Sequence, residues 1–406
     1  MRKNLYVTLF VLLVAASVVL SACGAAPIAT PQTVVQIQTQ VVQEVVTATP
    51  LPPGAPTDTP LPAGSITITA AGATFPAPLY SQWTYAYQYV NPAVLINYNP
   101  IGSGAGKTAI VANTVDFAGS DSALSDQNYT DGKDLQMYPM VAGAEVMAYN
   151  IAFNPVPTPA AGATAITLPK LILDRQTLVD IYNAKVTLWN DPEIVALNPG
   201  LKDYLPAKAI TTVHRSDASG TTDIFTHALT AFSTDWKAGA AQSVQWPGKN
   251  NLGGKGNAGV AGAILNTPNS IGYVEIAYAI SNSMTYAQMV NKAGKTVSAN
   301  GTSINADMAD FGTIFDNNPK MIAYIPDGVG DGSWPITGYT YLILHTTSMK
   351  DCTKAQAIVD FMKWAQTDPT AQAAAVKLGY SVLPAAVSAK VLTLLGQVTC
   401  NGQPLK

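Results

Sequence analysis

After the first sixty residues, the apolar positions repeat with two different periods along the chain. Segments with the period of a strand alternate with segments with the period of a helix, which predicts strands followed by helices. Ile66-Thr-Ile-Thr69 alternates with period two, which is typical of a strand. Leu79, Trp83 and Tyr87 then recur every four residues, which predicts a helix with one buried face. Similar strand patterns cover residues 95–99, 116–120, 141–150, 209–215, 271–277 and 340–344, and helical patterns cover 109–115, 175–182, 221–232 and 355–366.

This alternation indicates an α/β protein with a mainly parallel sheet. In such sheets, ligands bind outside the carboxyl ends of the strands. Thr74, Ser103 and Asp121 each lie in a small-residue loop that follows a predicted strand. We therefore expect these loops to converge on one site.

The pattern of the first twenty-three residues is typical of an export signal. Arg2 and Lys3 precede an almost wholly apolar run over residues 6–20, and Leu20-Ser-Ala-Cys23 follows. These last four residues resemble a bacterial lipoprotein box, which predicts a signal peptide over residues 1–22 and a lipid on Cys23. A plain signal peptide or an uncleaved anchor helix are the alternatives. Residues 23–64 are rich in Pro, Thr and Gln, and we expect an extended, lipid-anchored tether.

Length and charge narrow the class of protein further. A chain of 406 residues is expected to form two domains or one large one. Its net charge of -3 supplies no basic field for nucleic acid. Cys352 and Cys400 remain after the signal, and an exported compartment permits them to form a disulfide; two buried free thiols are the alternative.

A glycine-rich loop suggests an anion site but not a nucleotide site. Gly102-Ser-Gly-Ala-Gly-Lys-Thr108 resembles a P-loop. A P-loop needs a glycine five residues before Gly106, but in this chain that position is Ile101. A glycine turn that leads into a helix still presents backbone N–H groups to an anion. We read residues 102–106 as loop, and we expect Lys107 to point from the first helical turn into solvent.

A set of small polar residues in the predicted loops is suited to an oxyanion, because hydroxyl and backbone N–H groups are neutral donors. Arg215 would add a charged, forked contact, and Asp217 could hold its guanidinium. Each serine or threonine could instead be an ordinary helix cap. The set comprises Thr74, Ser103, Asp121, Arg215, Asp217, Ser219, Gly220 and Thr221.

Asp121 is informative because a carboxylate should repel an anion. An ionised aspartate can only accept hydrogen bonds, so it suits a ligand that carries a proton, such as hydrogen phosphate, and disfavours sulfate. The pattern contains no nucleophile–base pair that we can name, and the three histidines lack metal-ligand spacing. We therefore expect no enzyme activity, no cofactor and no metal.

Several motifs, taken in this order, resemble those of the phosphate-binding proteins of ABC phosphate importers (PstS-like), in the periplasmic-binding-protein superfamily. The likeness extends from about residue 65 to the C-terminus. The motifs are Ala71-Gly-Ala-Thr-Phe-Pro, Ile101-Gly-Ser-Gly, Val115-Asp-Phe-Ala-Gly-Ser-Asp, Arg215-Ser-Asp-Ala-Ser-Gly-Thr, Gly254-Lys-Gly-Asn, Ile271-Gly-Tyr-Val-Glu and Ser333-Trp-Pro-Ile.

The resemblance implies a two-lobed, type II fold, with mixed sheets flanked by helices and two crossing hinge strands. Lobe I would comprise residues 65–145 and 335–406, and lobe II residues 146–334. Phosphate would be held between the lobes, with Thr74 and Phe75 as donors, Ser103 as hydroxyl and N–H donor, and Asp121 as acceptor of the ligand's proton. Arg215 would make the charged contact, and Ser219, Gly220 and Thr221 would cap the anion.

The function expected from this reading is a monomeric, lipid-anchored receptor on the outer face of the cytoplasmic membrane. It would hand phosphate to the membrane subunits of an ABC permease, without chemistry and without nucleic acid. A receptor for another tetrahedral oxyanion is one alternative. A secreted phosphoesterase or adhesin is an alternative of a different class.

Overall fold

The computed structural model describes Pro62, residues 64–156 and residues 167–405, all within the unit Pro60–Lys406. The predicted signal peptide, Cys23 and nearly all of the predicted tether lie outside these residues. The strands are β1 (Ile66–Gly72), β2 (Val94–Asn99), β3 (Phe117–Ser120), β4 (Leu135–Asn150), β5 (Ile172–Asp174), β6 (Thr211–Arg215), β7 (Asn251–Gly254), β8 (Ser270–Glu275), β9 (Gln288–Val290), β10 (Thr296–Val297), β11 (Ile325–Pro326), β12 (Ile336–His345), β13 (Ser381–Val382), β14 (Thr399–Cys400) and β15 (Gln403–Pro404).

Helices follow most of the strands, as the alternating pattern predicts. They are α1 (Ala77–Val90), α2 (Ser103–Val111), α3 (Asp126–Gly132), α4 (Arg175–Tyr182), α5 (Pro192–Leu197), α6 (Gly220–Phe232), α7 (Gly256–Asn266), α8 (Ile276–Ser281), α9 (Gly301–Asp310), α10 (Cys352–Thr367), α11 (Pro369–Lys377) and α12 (Ala385–Leu395). Within the described part of the chain, no helix is long and apolar enough to span a membrane.

The main sheet is mixed, so the expectation of a mainly parallel sheet holds only at its two ends. Its strands run in the order β2-β1-β3-β12-β4-β8-β6-β7. The pairs β1–β2, β1–β3, β6–β8 and β6–β7 are parallel, whereas β3–β12, β12–β4 and β4–β8 are antiparallel. The parallel ends are the strand–helix repeats that the sequence pattern indicates, and the antiparallel centre joins them.

Strand β4 connects the two ends of this sheet. Its first part, through Ala144, pairs with β12, and from Glu145 onward it pairs with β8. We call β2, β1, β3, β12 and the first part of β4 the first half-sheet. The second half-sheet comprises the rest of β4 with β8, β6 and β7. Both β4 and β12 are almost completely buried, which explains their long apolar runs.

Helix α1 shows how the local pattern produces packing. Pro76 is its N-cap and Pro78 lies in its first turn, where a missing backbone N–H costs nothing. Leu79, Trp83 and Tyr87 are all buried, as their spacing predicts. The Trp83 indole donates to the carbonyl of Ala371 at 2.8 Å, which satisfies its buried N–H group.

Helix α2 begins at Ser103, so the predicted loop over residues 102–106 is wrong. The turn is confined to Gly102, which adopts a φ of 99°. A Cβ atom on Gly104 would lie 2.5 Å from the Cβ of Ala218, and one on Gly106 would lie 2.5 Å from the Cα of Gly72. These helical glycines therefore allow two close approaches of backbone, which outweighs their low helix propensity.

Strand β11 pairs with β12 and strand β13 with β4 at the side of the main sheet, and the other strands form two small sheets. Strands β10, β9 and β5 make one, and β14 pairs with β15 in a hairpin near the C-terminus. The expected disulfide joins Cys352 at the start of α10 to Cys400 in β14, with the Cα atoms 5.4 Å apart. The disulfide therefore links this hairpin covalently to α10.

Candidate functional site

Loops from the two half-sheets meet at one buried cluster. Thr74 follows β1, Asp121 follows β3, and Arg215 ends β6. Ser103 and Gly220 are the first residues of α2 and α6. The side chains of this cluster are all buried except that of Asp217, which is partly exposed. The structure thus brings together the predicted loop residues, which lie as far apart as 147 positions along the chain.

Asp121 lies between the two half-sheets. Its Oδ1 accepts a hydrogen bond from Thr340 at 2.7 Å, and its Oδ2 accepts one from Ser103 at 3.3 Å. The Ser103 hydroxyl in turn accepts from the Asp121 backbone N–H at 3.1 Å. A Cβ atom on Gly220 would lie 2.5 Å from both Asp121 Cβ and Ser103 Oγ. Glycine at position 220 therefore allows the start of α6 to approach the carboxylate.

Burial changes the acid–base behaviour of Asp121. Loss of hydration raises its pKa to about 7, although the Thr340 hydroxyl, the Arg215 charge and the Ser103 hydroxyl act in the opposite direction. From the sequence alone, Asp121 is expected to be ionised at neutral pH. In the folded protein this carboxyl group instead changes charge near neutrality.

Arg215 is held by partners on its own side of the site. Its Nε donates to Asp217 Oδ1 at 2.8 Å, and a second nitrogen donates to the other oxygen of the same carboxylate. Its remaining terminal nitrogen donates to Thr221 Oγ1 at 3.0 Å. Asp217 also accepts from the Gly256 backbone N–H, and although burial opposes ionisation, the Arg215 guanidinium lowers the pKa of Asp217. Asp217 thus orients the guanidinium, as the sequence suggests.

Ser219 serves as the N-cap of α6, so the simple structural interpretation of this residue holds. Its hydroxyl oxygen accepts from the Thr222 backbone N–H at 3.1 Å. The hydroxyl hydrogen remains available, because a hydroxyl group has one donor as well as two acceptor positions. The first N–H groups of α6 point out of its N-terminus, where the helix dipole favours an anion. Capping and anion binding are therefore compatible at Ser219.

Two residues of this network, Asn257 and Thr340, are not among the site residues predicted from the sequence. Asn257 is fully buried at the start of α7, and its Nδ2 donates to Thr74 Oγ1 and to Thr221 Oγ1, each at 3.0 Å. It closes the Gly254-Lys-Gly-Asn motif, so the motif could have identified it. Thr340 lies in the middle of β12, where no local pattern distinguishes it from a core residue.

Phe75 lies behind the cluster. Its ring is buried against Gly143, where an added Cβ would come within 2.7 Å of the ring. Its carbonyl accepts from the Tyr380 hydroxyl at 2.7 Å, and the Thr74 carbonyl accepts from Tyr278 at 2.6 Å. These contacts hold the Thr74–Phe75 turn in place.

The expectation that Lys107 points into solvent is wrong. Lys107 is 9% exposed, and its Nζ donates to Ser122 Oγ at 3.2 Å and to the Ala123 carbonyl at 2.8 Å. Burial lowers its pKa, which the charges of Asp223 and Asp121 partly offset. The side chain turns inward because α2 starts four residues before Lys107, which places this residue over the loop that follows β3.

The two half-sheets are closed over the site. The Gly104 backbone N–H donates to the Ala218 carbonyl at 3.0 Å, and Gln242 donates to the Ser122 hydroxyl. A cavity of about 190 Å³ lies beside Thr74 and Asp217. A larger cavity of about 740 Å³ lies near the start of α9, away from this cluster, so cavity size does not mark the site.

Within the described ranges, no group of three or more His, Cys, Asp or Glu side chains is arranged to hold a metal ion. The site therefore presents hydroxyl groups, helix N-terminal N–H groups, one guanidinium and one protonatable carboxyl group. This donor set suits a small tetrahedral oxyanion.

Comparison with known proteins identifies the class to which the chain belongs. A family model described as a PBP superfamily domain matches residues 49–369. The phosphate-binding protein PstS of Pasteurella multocida (strain Pm70) is 38% identical over 328 residues, which cover 80% of this chain and 88% of that protein. The phosphate-binding protein PstS of Methanocaldococcus jannaschii is 33% identical over 320 residues, which cover 75% and 79%.

Solved structures give the same fold at lower identity. A human phosphate binding apolipoprotein has a TM-score of 0.63 at 21% identity, covering 83% of this chain and 99% of that one. A phosphate binding protein from Stenotrophomonas maltophilia has a TM-score of 0.58 at 20% identity, covering 81% and 94%.

The chain is therefore a member of the PBP superfamily, with its two-lobed α/β fold. Within that class it belongs to the PstS family of phosphate-binding proteins. This is a family of solute-binding proteins and not of enzymes.

Proposed function

We propose that this protein captures inorganic phosphate at the Asp121 cluster and delivers it to an ABC permease. The observation that carries the proposal is the meeting of two helix N-termini, those of α2 and α6, around one buried carboxyl group and one paired guanidinium. Such a site binds an anion through neutral donors and accepts a proton that the anion carries.

We propose the following contacts with phosphate, which the meeting of these residues in one buried cluster supports. Thr74, Phe75 and Ser103 donate from the first half-sheet, and Asp121 accepts the phosphate proton. Arg215 supplies the positive charge, and Asp217 holds the guanidinium group of Arg215 in place. Ser219, Gly220 and Thr221 close over the anion from the start of α6.

The proposed lobes follow the strand pairing. Lobe I comprises residues 65–145 and 335–406, and lobe II comprises residues 146–334. The exchange of partners in β4 at Ala144 and Glu145, and the start of β12 at Ile336, support these boundaries. In this arrangement β4 and β12 are the crossing strands about which the lobes open.

We also propose that the mature protein is a monomer that begins at a lipidated Cys23 and stands on the outer face of the cytoplasmic membrane. The apolar run over residues 6–20 and the four residues that end at Cys23 support the lipid anchor. Cys23→Ser should abolish incorporation of labelled palmitate and release the protein from the membrane fraction. Unchanged labelling of this variant would refute the anchor.

Isothermal titration calorimetry with phosphate, arsenate and sulfate tests the binding function. We expect tight binding of phosphate and weak binding of sulfate. Stronger binding of sulfate than of phosphate would support a receptor for another oxyanion. Turnover of a chromogenic phosphate ester by the purified protein would support an enzyme instead.

A further inference from the structure

Two glutamates lie opposite each other at the point where β4 passes from one half-sheet to the other. Glu145 is the first residue of β4 that pairs with β8, and its partner in the register is Glu275. Both are fully buried. The whole chain contains four glutamates, at positions 44, 145, 193 and 275, so half of them are in this pair. Like charges directly opposite each other in a sheet are unfavourable, which makes the pair unusual.

Glu145 has no hydrogen-bond partner for either carboxylate oxygen among the described residues. Trp334 contacts only its backbone, by donating from the indole to the Glu145 carbonyl at 2.9 Å. A buried ionised carboxylate without partners is strongly disfavoured, whereas the neutral acid is tolerated. The geometry therefore favours a protonated Glu145.

Glu275 is connected to the phosphate site through Tyr380. Its Oε2 accepts from the Ala277 backbone N–H at 2.9 Å and lies 2.9 Å from the Tyr380 hydroxyl. The same hydroxyl lies 2.7 Å from the Phe75 carbonyl. A tyrosine has one hydroxyl hydrogen for these two oxygens. A proton on Glu275 would satisfy both contacts, because the carboxyl group would then donate to Tyr380 while Tyr380 donates to Phe75.

Several ionisable groups surround the pair. Asp121, Asp223 and Glu275 act on Glu145 from the end of β3, from α6 and from β8, and Arg215 acts from β6. Tyr182 and Tyr273 also act on Glu145, and Tyr278 and Tyr380 lie near Glu275. With Asp217 included, the described residues place five carboxyl groups here, against Lys107, Arg215 and the imidazole of His227; the carboxyl groups are Asp121, Glu145, Asp217, Asp223 and Glu275. If all five were ionised, an added anion would increase an existing excess of negative charge, so protonation of Glu145 and Glu275 favours entry of the anion.

We propose that the Glu145–Glu275 pair binds the proton that accompanies phosphate capture, and so makes phosphate affinity depend on pH without touching the ligand. This inference rests on the proposed phosphate-binding function. Glu145 lies on the crossing strand β4, and Glu275 contacts the Thr74–Phe75 turn through Tyr380, so the proton and the anion share one buried network. Protonation reduces the repulsion that the closed site presents to an anion.

The direction of the pH effect follows from linkage. Burial, followed by the charge of Asp121, holds the pKa of Glu145 well above its ordinary value, and burial does the same for Glu275. A bound anion raises both further. Proton uptake on binding is then expected at pH values above the range in which glutamates normally titrate. The affinity for phosphate should fall as the pH rises through these higher values, at most about tenfold per pH unit for each linked proton.

Calorimetry in pairs of buffers with different ionisation enthalpies measures this uptake. The purified full-length protein is titrated with inorganic phosphate between about pH 6 and 9, which lies above the ordinary pKa of a glutamate. Glu145→Gln keeps the size of the side chain and removes its titration. Glu193→Gln is the matched control, because Glu193 is an exposed glutamate on α5. Glu145→Gln and the control have the same phosphate ionisation and the same Asp121, so they differ only in whether the pair is intact.

We expect Glu145→Gln to take up fewer protons than the control and to lose less affinity with rising pH, while its affinity near pH 6 stays within about threefold of wild type. Equal proton uptake in the two variants would overturn the proposal. Absence of any phosphate heat from the wild type would instead refute the proposed function itself.

Carbon-13 NMR of the wild type provides a measurement that does not depend on a variant. Glutamate labelled at the carboxyl carbon gives four signals in this chain. The signals of Glu145 and Glu275 should remain in the protonated position after that of the exposed Glu193 has moved to the ionised position, and saturating phosphate should move their midpoints to higher pH. Four signals that all titrate in the ordinary glutamate range, with or without phosphate, would refute the proposal.

Discussion

Burial places the pKa of Asp121 at about 7, so this carboxyl group changes charge in the pH range in which binding is measured. Below that pH the protonated carboxyl group can donate a hydrogen bond to sulfate. Above it, the carboxylate can only accept, and it therefore requires a ligand that carries a proton. Selectivity between the two anions consequently depends on the charge of one residue.

We predict that the preference of the wild type for phosphate over sulfate increases between about pH 6 and 8. Asp121→Asn should lower this preference about a hundredfold or more at pH 8, because sites built to accept a ligand's hydrogen discriminate strongly against analogues that lack it. Calorimetry with both anions measures the effect. Asp126→Asn, at a side chain that is 98% exposed, is the control. A pH-independent preference that survives in Asp121→Asn would contradict the role of this carboxylate.

Lys107 is a buried cation close enough to Asp223 and Asp121 for their charges to act on it. We therefore expect Lys107→Met, which keeps most of the side-chain length, to weaken phosphate binding about tenfold or more. A desolvated charge interacts more strongly with a nearby anion than an exposed one does. Lys202→Met, at an exposed position, serves as the control. Equal affinities of the two variants would show that Lys107 is a structural residue only.

At the scale of elements, α2 combines a tight turn with glycines inside the helix. Gly102 makes the turn, and Gly104 and Gly106 allow the helix to approach Ala218 on one side and Gly72 on the other. The Gly104 backbone N–H bonds to the Ala218 carbonyl across the two half-sheets. The spacing of small residues in this helix is therefore a requirement of closure.

Gly104→Ala tests this requirement. The new methyl group would lie 2.5 Å from the Cβ of Ala218, a separation that real Cβ atoms essentially never show, so the closed state has to shift. We expect phosphate affinity to fall tenfold or more, on the order of the cost of overpacking. Gly262→Ala in α7 is the matched control, because nothing lies within 4 Å of its added Cβ. If both variants bind phosphate like the wild type, close approach at Gly104 is not needed for binding.

At the scale of the whole molecule, two strands and one disulfide organise residues that are distant in sequence. Strands β4 and β12 run through the centre of the main sheet, and β12 brings Thr340 to Asp121. The disulfide between Cys352 and Cys400 spans 48 positions near the C-terminus. It lies in α10 and β14, outside the loops that form the site.

Removing the disulfide should lower stability without changing binding. The chain-entropy model assigns a loop of this length about 4 kcal/mol. Cys352→Ser/Cys400→Ser should therefore unfold at a lower denaturant concentration by up to about that free energy. Its phosphate affinity should match that of the wild type. A wild-type denaturation curve that reducing agent leaves unchanged would show that the crosslink does not contribute.

The local pattern alone determined much of this protein. The spacing of Leu79, Trp83 and Tyr87 predicts the buried face of α1, and the helix over residues 175–182 matches α4 in both bounds. The same pattern predicts that the loops at Thr74, Ser103 and Asp121 converge, because carboxyl ends of neighbouring strands meet at one edge of a sheet. Turn residues and hydrophobic periodicity are local properties, so a single sequence is enough to indicate them.

The tertiary structure decided what depends on distant neighbours. Lys107 turns inward because α2 starts at Ser103, and that start is set by contacts with Ala218 and Gly72. The pKa of Asp121 depends on burial by a second half-sheet, and the pairing of Glu145 with Glu275 depends on the register of β4 against β8. Closure, desolvation and register are produced by segments more than a hundred residues apart. The local pattern identifies the polar loop residues that meet in the candidate site, and the packing of the two half-sheets sets their charges.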